Sequence, residues 1–218
     1  MSMQKKSHRT FIATASATAV VASAVTPIAA AASFNDVTPT YKDAIDFVAS
    51  KGVQGLNANQ FGIEKDIKRA DAAVMLAKVL GLDTKSAPAS GFTDVPKRAI
   101  TYVNAIKHAG ITNGKSKTSF GSEDMITRGE LAVWIQKGFS LKGEGKISFS
   151  DVKKDYVEAV KALVSNKITN GVSKTSFGTT QKAKRGDFAL FLYRAGAAKA
   201  VTPEQNETKR CFINLLAG

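Results

Sequence analysis

Three arginines occupy the same place in a repeated sequence pattern, and each is a candidate for binding an anion. They stand in the tetrapeptides Lys68-Arg69-Ala70-Asp71, Thr127-Arg128-Gly129-Glu130 and Lys184-Arg185-Gly186-Asp187. Each tetrapeptide precedes a run of apolar residues with helical spacing, so each arginine is predicted to lie in the first turn of a helix. That end of the helix dipole favours anions, and a cation there requires a partner.

Two kinds of partner fit the pattern. The arginine could form a structural ion pair, either with Asp71, Glu130 or Asp187 or with a carboxylate of the adjacent repeat. Alternatively, the guanidinium and the free N–H groups of the helix start could bind a ligand carboxylate or phosphate in bidentate fashion. Local physics does not decide between them, because duplication copies structural pairs as readily as binding sites.

Other reactive side chains are sparse and scattered. His108 is the single histidine after residue 32, and Cys211 has no base near it in sequence. The carboxylates of Glu123 and Asp124 could in principle serve a glycosidase, but the other copies have no counterpart. No spacing of His and Cys suits a metal. The sequence therefore predicts no catalytic residues, no metal and no cofactor.

The arginines belong to a unit that recurs about every 58 residues, which is typical of repeat architectures. Each copy begins with Phe-x-Asp-Val, here called the opening motif, at Phe34, Phe92 and Phe149. A Gly-x5-Phe-Gly segment, here called the glycine loop, follows at 55–62, 114–121 and 171–178. The phenylalanine of each loop is predicted to be buried, and the glycine after it to have a positive φ. Apolar spacing on both sides of the loop predicts a helix, a loop and a second helix in each copy.

Capping signals mark several of the helix starts. Thr38 before Pro39 fits an N-cap followed by an N1 proline. Thr127 with Glu130 forms a capping box in the second copy, and Asp155 with Glu158 is predicted to form one in the third.

The opening motif, the amphipathic helix, the glycine loop and the closing Thr-Arg-Ala-Glu-like element together resemble the S-layer homology (SLH) domain, over residues 33–196. The resemblance implies an all-α fold, in which three helix-loop-helix repeats form one pseudo-threefold assembly around a central three-helix bundle. The expected organisation is a signal peptide at 1–32, repeats at 33–84, 91–142 and 148–196, and a tail or linker at 197–218.

The resemblance also implies non-covalent anchoring to the cell wall of a Gram-positive bacterium, through pyruvylated secondary cell-wall polysaccharide bound in grooves between repeats. The family's arginine meets the acidic ketal, and that role is carried over to Arg69, Arg128 and Arg185. Asp36, Asp94 and Asp151 match the family's opening aspartate, while Gly55, Gly114 and Gly171 match its groove-lining loop. Alternatives are a structural S-layer subunit that self-assembles, or the anchoring fragment of a larger surface protein or enzyme.

The copies depart from the family pattern in places. Lys68 and Lys184 replace the capping threonine, and Gly129 and Gly186 replace the alanine, which is predicted to let the backbone approach a ligand more closely. The aromatic residue that opens the first helix is assigned to Tyr41, Tyr102 and Tyr156. We therefore expect the three grooves to differ in affinity.

The first 32 residues have the layout of a secretory signal peptide. A basic start precedes the uncharged stretch 11–25, and small residues at 29–33 suit cleavage near Ala31 or Ala32. Three of the chain's 31 Lys and Arg lie in this segment, which leaves 28 against 18 Asp and Glu, a net charge of +10. A basic exported protein attracts polyanions such as acidic wall polymers. The mature chain is predicted to be a secreted monomer in the cell wall or S-layer that binds neither nucleic acid nor membrane.

Overall fold

The computed structural model describes residues 34–200, except for the side chain of Ala200. Its helices are α1 Pro39–Ser50, α2 Arg69–Leu80, α3 Ile100–His108, α4 Arg128–Gly138, α5 Val157–Ser165 and α6 Arg185–Ala200, and 3-10 helices Lys97–Ala99 and Lys154–Tyr156 precede α3 and α5. Within residues 34–200 the only β structure is three isolated bridges, which confirms the predicted all-α class. Helix α6 extends to Ala200, four residues past the predicted end of the third repeat. The predicted signal peptide and residues 201–218 lie outside the described residues.

The second helices of the three repeats form the centre of the fold. Helices α2, α4 and α6 contact one another pairwise, and Leu76, Ile135 and Leu192 of this bundle are completely buried. The central three-helix bundle implied by the SLH resemblance is therefore present. None of the helices within 34–200 has the length and apolar character needed to cross a membrane.

The first helices surround this bundle in an interleaved order. Helix α3 packs on α2, α5 packs on α4, and α1 packs on α6. Each first helix thus lies against the second helix of the preceding repeat, and α1 closes the ring. Because each repeat completes its packing with a neighbour, the three form one interlocked core.

A triangle of backbone hydrogen bonds lies where the three repeats meet. The N–H of Ile67 donates to the carbonyl of Ala183 at 3.0 Å, that of Ala183 to Ile126 at 2.9 Å, and that of Ile126 to Ile67 at 3.1 Å. All three residues are buried, where an unpaired backbone group is costly. Each repeat contributes one donor and one acceptor, so the triangle is satisfied by three copies. Each of these residues lies two positions before a candidate arginine.

The helix starts only partly match the capping predictions. The capping box of Thr127 and Glu130 is present, and Thr38 is the N-cap of α1 with Pro39 at N1, although its side chain makes no capping hydrogen bond. The capping box predicted for Asp155 and Glu158 is wrong. Asp155 lies within the 3-10 helix Lys154–Tyr156, and α5 begins after it without a side-chain cap.

Because the three repeats share one core, a destabilising substitution in one repeat should destabilise all three. Ile45 of α1 is buried, and Ile45→Ala should lower the free energy of unfolding by about 2–5 kcal/mol. Fluorescence of Trp134, the chain's single tryptophan, which lies in α4, should report the same lowered thermal midpoint as far-UV circular dichroism. An unchanged Trp134 midpoint would show that the repeats unfold independently. Lys42→Ala, which removes only an exposed ion pair with Asp46, is the control and should leave both midpoints close to those of the unmodified protein.

Candidate functional site

The three candidate arginines are buried in equivalent contacts between repeats. Their exposed fractions are 3% for Arg69, 6% for Arg128 and 7% for Arg185. Each Nε donates to the carbonyl of a glycine-loop phenylalanine in another repeat: Arg69 to Phe120 at 3.0 Å, Arg128 to Phe177 at 3.1 Å, and Arg185 to Phe61 at 3.0 Å. The contacts run from each repeat to the next and from the third to the first. We name them the Arg69, Arg128 and Arg185 sites.

Aromatic rings stack on each guanidinium. The guanidinium carbon of Arg69 lies 5.1 Å from the ring centroid of Phe120 and 5.0 Å from that of Trp134. That of Arg128 lies 5.3 Å from the ring of Phe177 and 5.2 Å from that of Phe191. That of Arg185 lies 4.7 Å from the ring of Phe61. Met75 takes the sequence position of the second ring at the Arg185 site. Burial lowers the pKa of all three guanidinium groups, but arginine remains charged in proteins. The attraction between each guanidinium and its aromatic rings compensates for part of the hydration that the guanidinium loses on burial.

The first two helix N–H groups beside each arginine, expected to be free, are hydrogen-bonded. In α2 the N–H of Arg69 donates to the carbonyl of Asp124 at 2.9 Å, and that of Ala70 to Ser122 at 3.1 Å. The first two N–H groups of α4 and α6 make equivalent bonds to the loops of the third and first repeats. The neighbouring repeat therefore already occupies the first two N–H groups of each helix, which rules out the alternative in which these two groups bind an anion.

Gly129 and Gly186 serve the same contact between repeats. A Cβ on Gly129 would lie 2.8 Å from the Cγ2 of Thr179, and one on Gly186 would lie 2.9 Å from the Cβ of Ile63. In the first repeat the equivalent Ala70 faces the smaller Ser122. The space expected for a ligand beside these glycines is filled by protein.

The Arg69 site contains its own carboxylate. Nη1 of Arg69 lies 3.0 Å from Oε1 of Glu130, and Nζ of Lys115 lies 2.6 Å from the same oxygen. Burial acts to raise the pKa of Glu130, but the hydrogen bonds from Lys115 and from the N–H of Thr127, with the charge of Arg69, lower it overall. Glu130 therefore stays ionised and neutralises Arg69.

The Arg128 site is neutralised in the same way. Nη1 of Arg128 lies 3.3 Å from Oδ2 of Asp187, and the hydroxyl of Tyr41 donates to Oδ1 at 2.9 Å. Burial and the hydrogen bond to Asp187 raise the pKa of Tyr41 to about 12. All three repeats contribute to this site, since Tyr41 comes from α1, Arg128 from α4 and Asp187 from α6.

The Arg185 site differs from both. Within residues 34–200 Arg185 forms no ion pair, and its Nη2 donates to the carbonyl of Gln54 at 2.7 Å. Asp71, at the position of Glu130 and Asp187, pairs instead with Nη1 of Arg98 at 2.5 Å. Arg185 lines an open cavity of about 420 Å³. The other lining residues are Val53, Gln54, Gly55, Leu56, Asp71, Val74, Met75, Lys78, Arg98 and Tyr102.

The structure corrects the assignment of the aromatic residue that opens each first helix. The N–H groups of Tyr41, Ala99 and Tyr156 each donate to the carbonyl three residues earlier, at 3.0, 2.8 and 2.9 Å. These three residues are therefore equivalent, and assigning Tyr102 to this position is wrong. The second repeat has an alanine where the others have a tyrosine, and Tyr102 lies one turn further along.

The aspartates of the opening motif hold the glycine loops. The carboxylate of Asp36 accepts from the N–H groups of Phe61, Gly62 and Ile63, that of Asp94 from Phe120 and Gly121, and that of Asp151 from Phe177, Gly178 and Thr179. Burial acts to raise the pKa of Asp151, but the N–H donors outweigh it and lower the pKa to about 2. The pKa values of Asp36 and Asp94 are lowered by the same balance. Direct contact between these carboxylates and a carbohydrate stays a prediction.

The first glycine of each loop lies on the phenylalanine of the opening motif. A Cβ on Gly55 would lie 2.5 Å from Cε1 of Phe34, and one on Gly171 would lie 2.6 Å from Cε1 of Phe149; Gly114 meets Phe92 in the same way. These glycines let the loop cross the ring. Gly55 also lines the cavity beside Arg185.

Sequence reasoning missed two groups of residues at these sites. Trp134 stands six positions after Arg128, and Phe191 stands six positions after Arg185. This recurrence of an aromatic residue could have predicted a second ring, which each presents to the arginine of the preceding repeat. The pairing of Arg98 with Asp71 has no such signal, because the equivalents of Arg98 in the other repeats, Thr40 and Asp155, are not cationic.

Comparison with known proteins identifies the family. The model of the S-layer homology domain matches residues 33–73, 91–132 and 148–189, more than half of the chain, and each match ends four residues after a candidate arginine. The chain belongs to the S-layer homology domain family. The three repeats therefore form an SLH domain triplet.

Several curated proteins contain a similar SLH region. The Surface-layer 125 kDa protein of Lysinibacillus sphaericus is 33% identical over 94% of this chain and 18% of its own length. The S-layer protein of Bacillus licheniformis is 28% identical over 93% of this chain and 24% of its own length. Exoglucanase XynX of Acetivibrio thermocellus is 31% identical over 73% of this chain and 16% of its own length. The chain thus spans about a fifth of the length of these relatives. Family and S-layer relatives support cell-surface association through a non-enzymatic SLH region.

The lowered pKa of Asp151 predicts acid-dependent stability. The ionised carboxylate stabilises the fold above its ordinary pKa of 3.8, and this contribution is lost as the pH falls toward about 2. Asp151→Asn should lower the free energy of unfolding at pH 7 by about 1–3 kcal/mol, because an amide replaces a charged acceptor. It should also flatten the decline in melting temperature between pH 4 and pH 2, measured by circular dichroism. Asp155→Asn, at an exposed position, is the control, and an equal effect there would contradict the role of Asp151 in holding the glycine loop.

Close packing at Gly186 predicts a result opposite to helix propensity. Propensity alone would make Gly186→Ala stabilising by about 0.5–1 kcal/mol. The approach to the backbone of Ile63 should instead make it destabilising by about 1–3 kcal/mol, as for other overpacked positions. In α4, a Cβ on Gly138 would come closest to the flexible end of Leu80, at 2.8 Å, and its next contacts are at 3.6 Å, so Gly138→Ala should be neutral or stabilising. Urea unfolding of both variants tests this, and a stabilised Gly186→Ala would refute it.

Proposed function

We propose that this SLH triplet anchors its protein non-covalently to the bacterial cell wall by binding pyruvylated secondary cell-wall polysaccharide between its repeats. The observation that carries the proposal is Arg185, a buried cation that forms no ion pair within the described residues and lines an open cavity. A buried guanidinium is stabilised by an anionic partner, and a carboxylate offers the bidentate geometry it prefers.

The charge of the cavity suits an acidic ligand. Arg185, Lys78 and Arg98 line it against the single carboxylate of Asp71, an excess of two positive charges. This excess attracts polyanions, as does the positive net charge of the whole chain.

The apolar part of the cavity suits a pyruvate ketal in particular. Leu56 lines the cavity and is 53% exposed. A pyruvate ketal carries a carboxylate and a methyl group on one carbon, so it can place the acid on Arg185 and the methyl group on Leu56. The ring of Tyr102 offers a further apolar face for a sugar.

The Arg69 and Arg128 sites, with Gly114 and Gly171, are proposed as weaker sites for the same polymer. A ligand carboxylate there must compete with Glu130 or Asp187 for the guanidinium. In this proposal Asp36, Asp94 and Asp151 act by holding the glycine loops in position beside the ligand.

The proposed setting follows from the same ligand. The chain would be exported through the signal peptide expected at 1–32 and would act as a non-catalytic monomer in the wall or S-layer of a Gram-positive bacterium. The second candidate, a structural S-layer subunit, is favoured by the S-layer relatives. Electron microscopy of the purified protein distinguishes the two, because ordered sheets would favour the subunit.

Cell-wall sedimentation tests the proposed ligand. The protein should sediment with intact Gram-positive walls that carry the polymer, and binding should fall at least about tenfold when the polymer is extracted, because the charge-assisted contacts are lost. Mild acid that hydrolyses the ketal but leaves the polymer should have a similar effect. Binding that survives polymer removal would refute the proposal. Binding that is lost on polymer removal but survives ketal hydrolysis would refute the role of the pyruvate ketal in recognition.

A further inference from the structure

We propose that Arg98 determines which of the three sites accepts the ligand carboxylate, by holding Asp71 away from Arg185. The cavity at the Arg185 site then becomes the primary binding site of this chain. This inference rests on the proposed function, since it assumes that the ligand is an acid-bearing sugar. Arg98 is assigned as a positioning residue for Asp71, and the ligand contact is made by Arg185.

The three sites provide an internal comparison. The residue two positions after each arginine is a carboxylate, and Glu130 and Asp187 pair with an arginine of the preceding repeat at 3.0 and 3.3 Å. Asp71 stands at the same position, yet it forms no ion pair with Arg185. Side-chain length does not explain the difference, because Asp187 is also an aspartate and it reaches Arg128.

The neighbour of Asp71 does explain it. Nη1 of Arg98 lies 2.5 Å from Oδ1 of Asp71. Arg98 lies on the 3-10 helix Lys97–Ala99 of the second repeat, whereas the equivalent residues of the other repeats are Thr40 and Asp155. The Arg185 site therefore alone has a second cation at this position that can take the carboxylate.

The residue after Arg98 acts in the same direction. At the Arg128 site the hydroxyl of Tyr41 holds Asp187 beside the arginine, at 2.9 Å. The equivalent residue at the Arg185 site is Ala99, which has no hydroxyl and no ring. One short helix thus supplies a competing cation and omits the group that would hold Asp71 on Arg185.

The consequence is a difference in what the ligand must displace. A carboxylate that enters the Arg69 or Arg128 site must first separate a partly buried ion pair, which leaves Glu130 or Asp187 without its partner. A carboxylate that reaches Arg185 displaces no protein carboxylate. The ligand's preference for the Arg185 site therefore comes as much from competition by Glu130 and Asp187 at the two other sites as from its attraction to Arg185.

Calorimetric titration of the full chain tests the role of Arg98. The probe is the methyl glycoside of a pyruvylated N-acetylhexosamine, with the same sugar lacking the ketal as the reference. Arg98→Gln should weaken binding about tenfold, because Asp71 becomes free to make a charge-assisted pair with Arg185. The double variant Arg98→Gln with Asp71→Asn should restore affinity to within about threefold, since an amide competes weakly for a guanidinium. Lys97→Gln removes the same charge from the neighbouring exposed position and should change affinity less than about twofold.

The outcomes separate the two proposals. Loss in Arg98→Gln with rescue by Asp71→Asn supports the assignment. Equal effects of Arg98→Gln and Lys97→Gln would overturn it while leaving the proposed function intact, and so would a loss that Asp71→Asn fails to rescue. If the unmodified protein does not distinguish the pyruvylated sugar from the reference sugar, the proposed function fails and this inference fails with it. Thermal midpoints within about 3 °C across the set, as expected for changes at exposed pairs, show that the variants are folded.

Discussion

The fold depends on a buried triangle of backbone hydrogen bonds joining Ile67, Ile126 and Ala183. Each segment gives one N–H and one carbonyl to the other two, so every group is satisfied only when three segments meet. The triangle also fixes where the helices begin, because α2, α4 and α6 each start two residues later. Their first N–H groups then bond to the loop of the next repeat. One backbone constraint therefore places three helix starts, and the arginine at each of them, around a common axis.

The three arginine sites share this backbone arrangement but differ in their chemistry. All three arginines make the same Nε bond to a loop phenylalanine and stack on its ring. They differ in what meets the outer edge of the guanidinium, which is Glu130, Asp187 or an open cavity. The backbone and the rings satisfy the structural demands of a buried cation, which leaves the carboxylate partner able to vary. The symmetry of the fold is thus no guide to the chemistry of the three arginine sites.

Several local features were predictable from the sequence, and most individual contacts between repeats were not. The capping box of Thr127 and the burial of Phe120 depend on nearby residues or on a repeated pattern, and the structure confirms both. The occupation of the first two N–H groups of α2, α4 and α6 was missed because their acceptors lie at least 50 residues away in the sequence. Tyr102 was misassigned because the equivalent position, seven residues after the opening phenylalanine, holds Ala99 in the second repeat, and Tyr102 is the aromatic residue nearest to it. The contrast between Arg185 and the other arginines depends on Arg98, whose equivalents in the other repeats, Thr40 and Asp155, are not cationic.

The interleaved packing of the first helices also affects how the domain carries mechanical load. Helix α6 is both a member of the central bundle and the support of α1, so the first and last described helices share one interface. Tension applied at opposite ends of residues 34–200 is transmitted across that interface, where Phe47 packs edge to face on Tyr193 at 5.6 Å. A force that separates α1 from α6 opens the ring between the first and third repeats, while α3 stays packed on α2 and α5 on α4. Resistance to pulling is therefore a property of the closed ring, and the Arg185 site, which spans the third and first repeats, lies on the same closure.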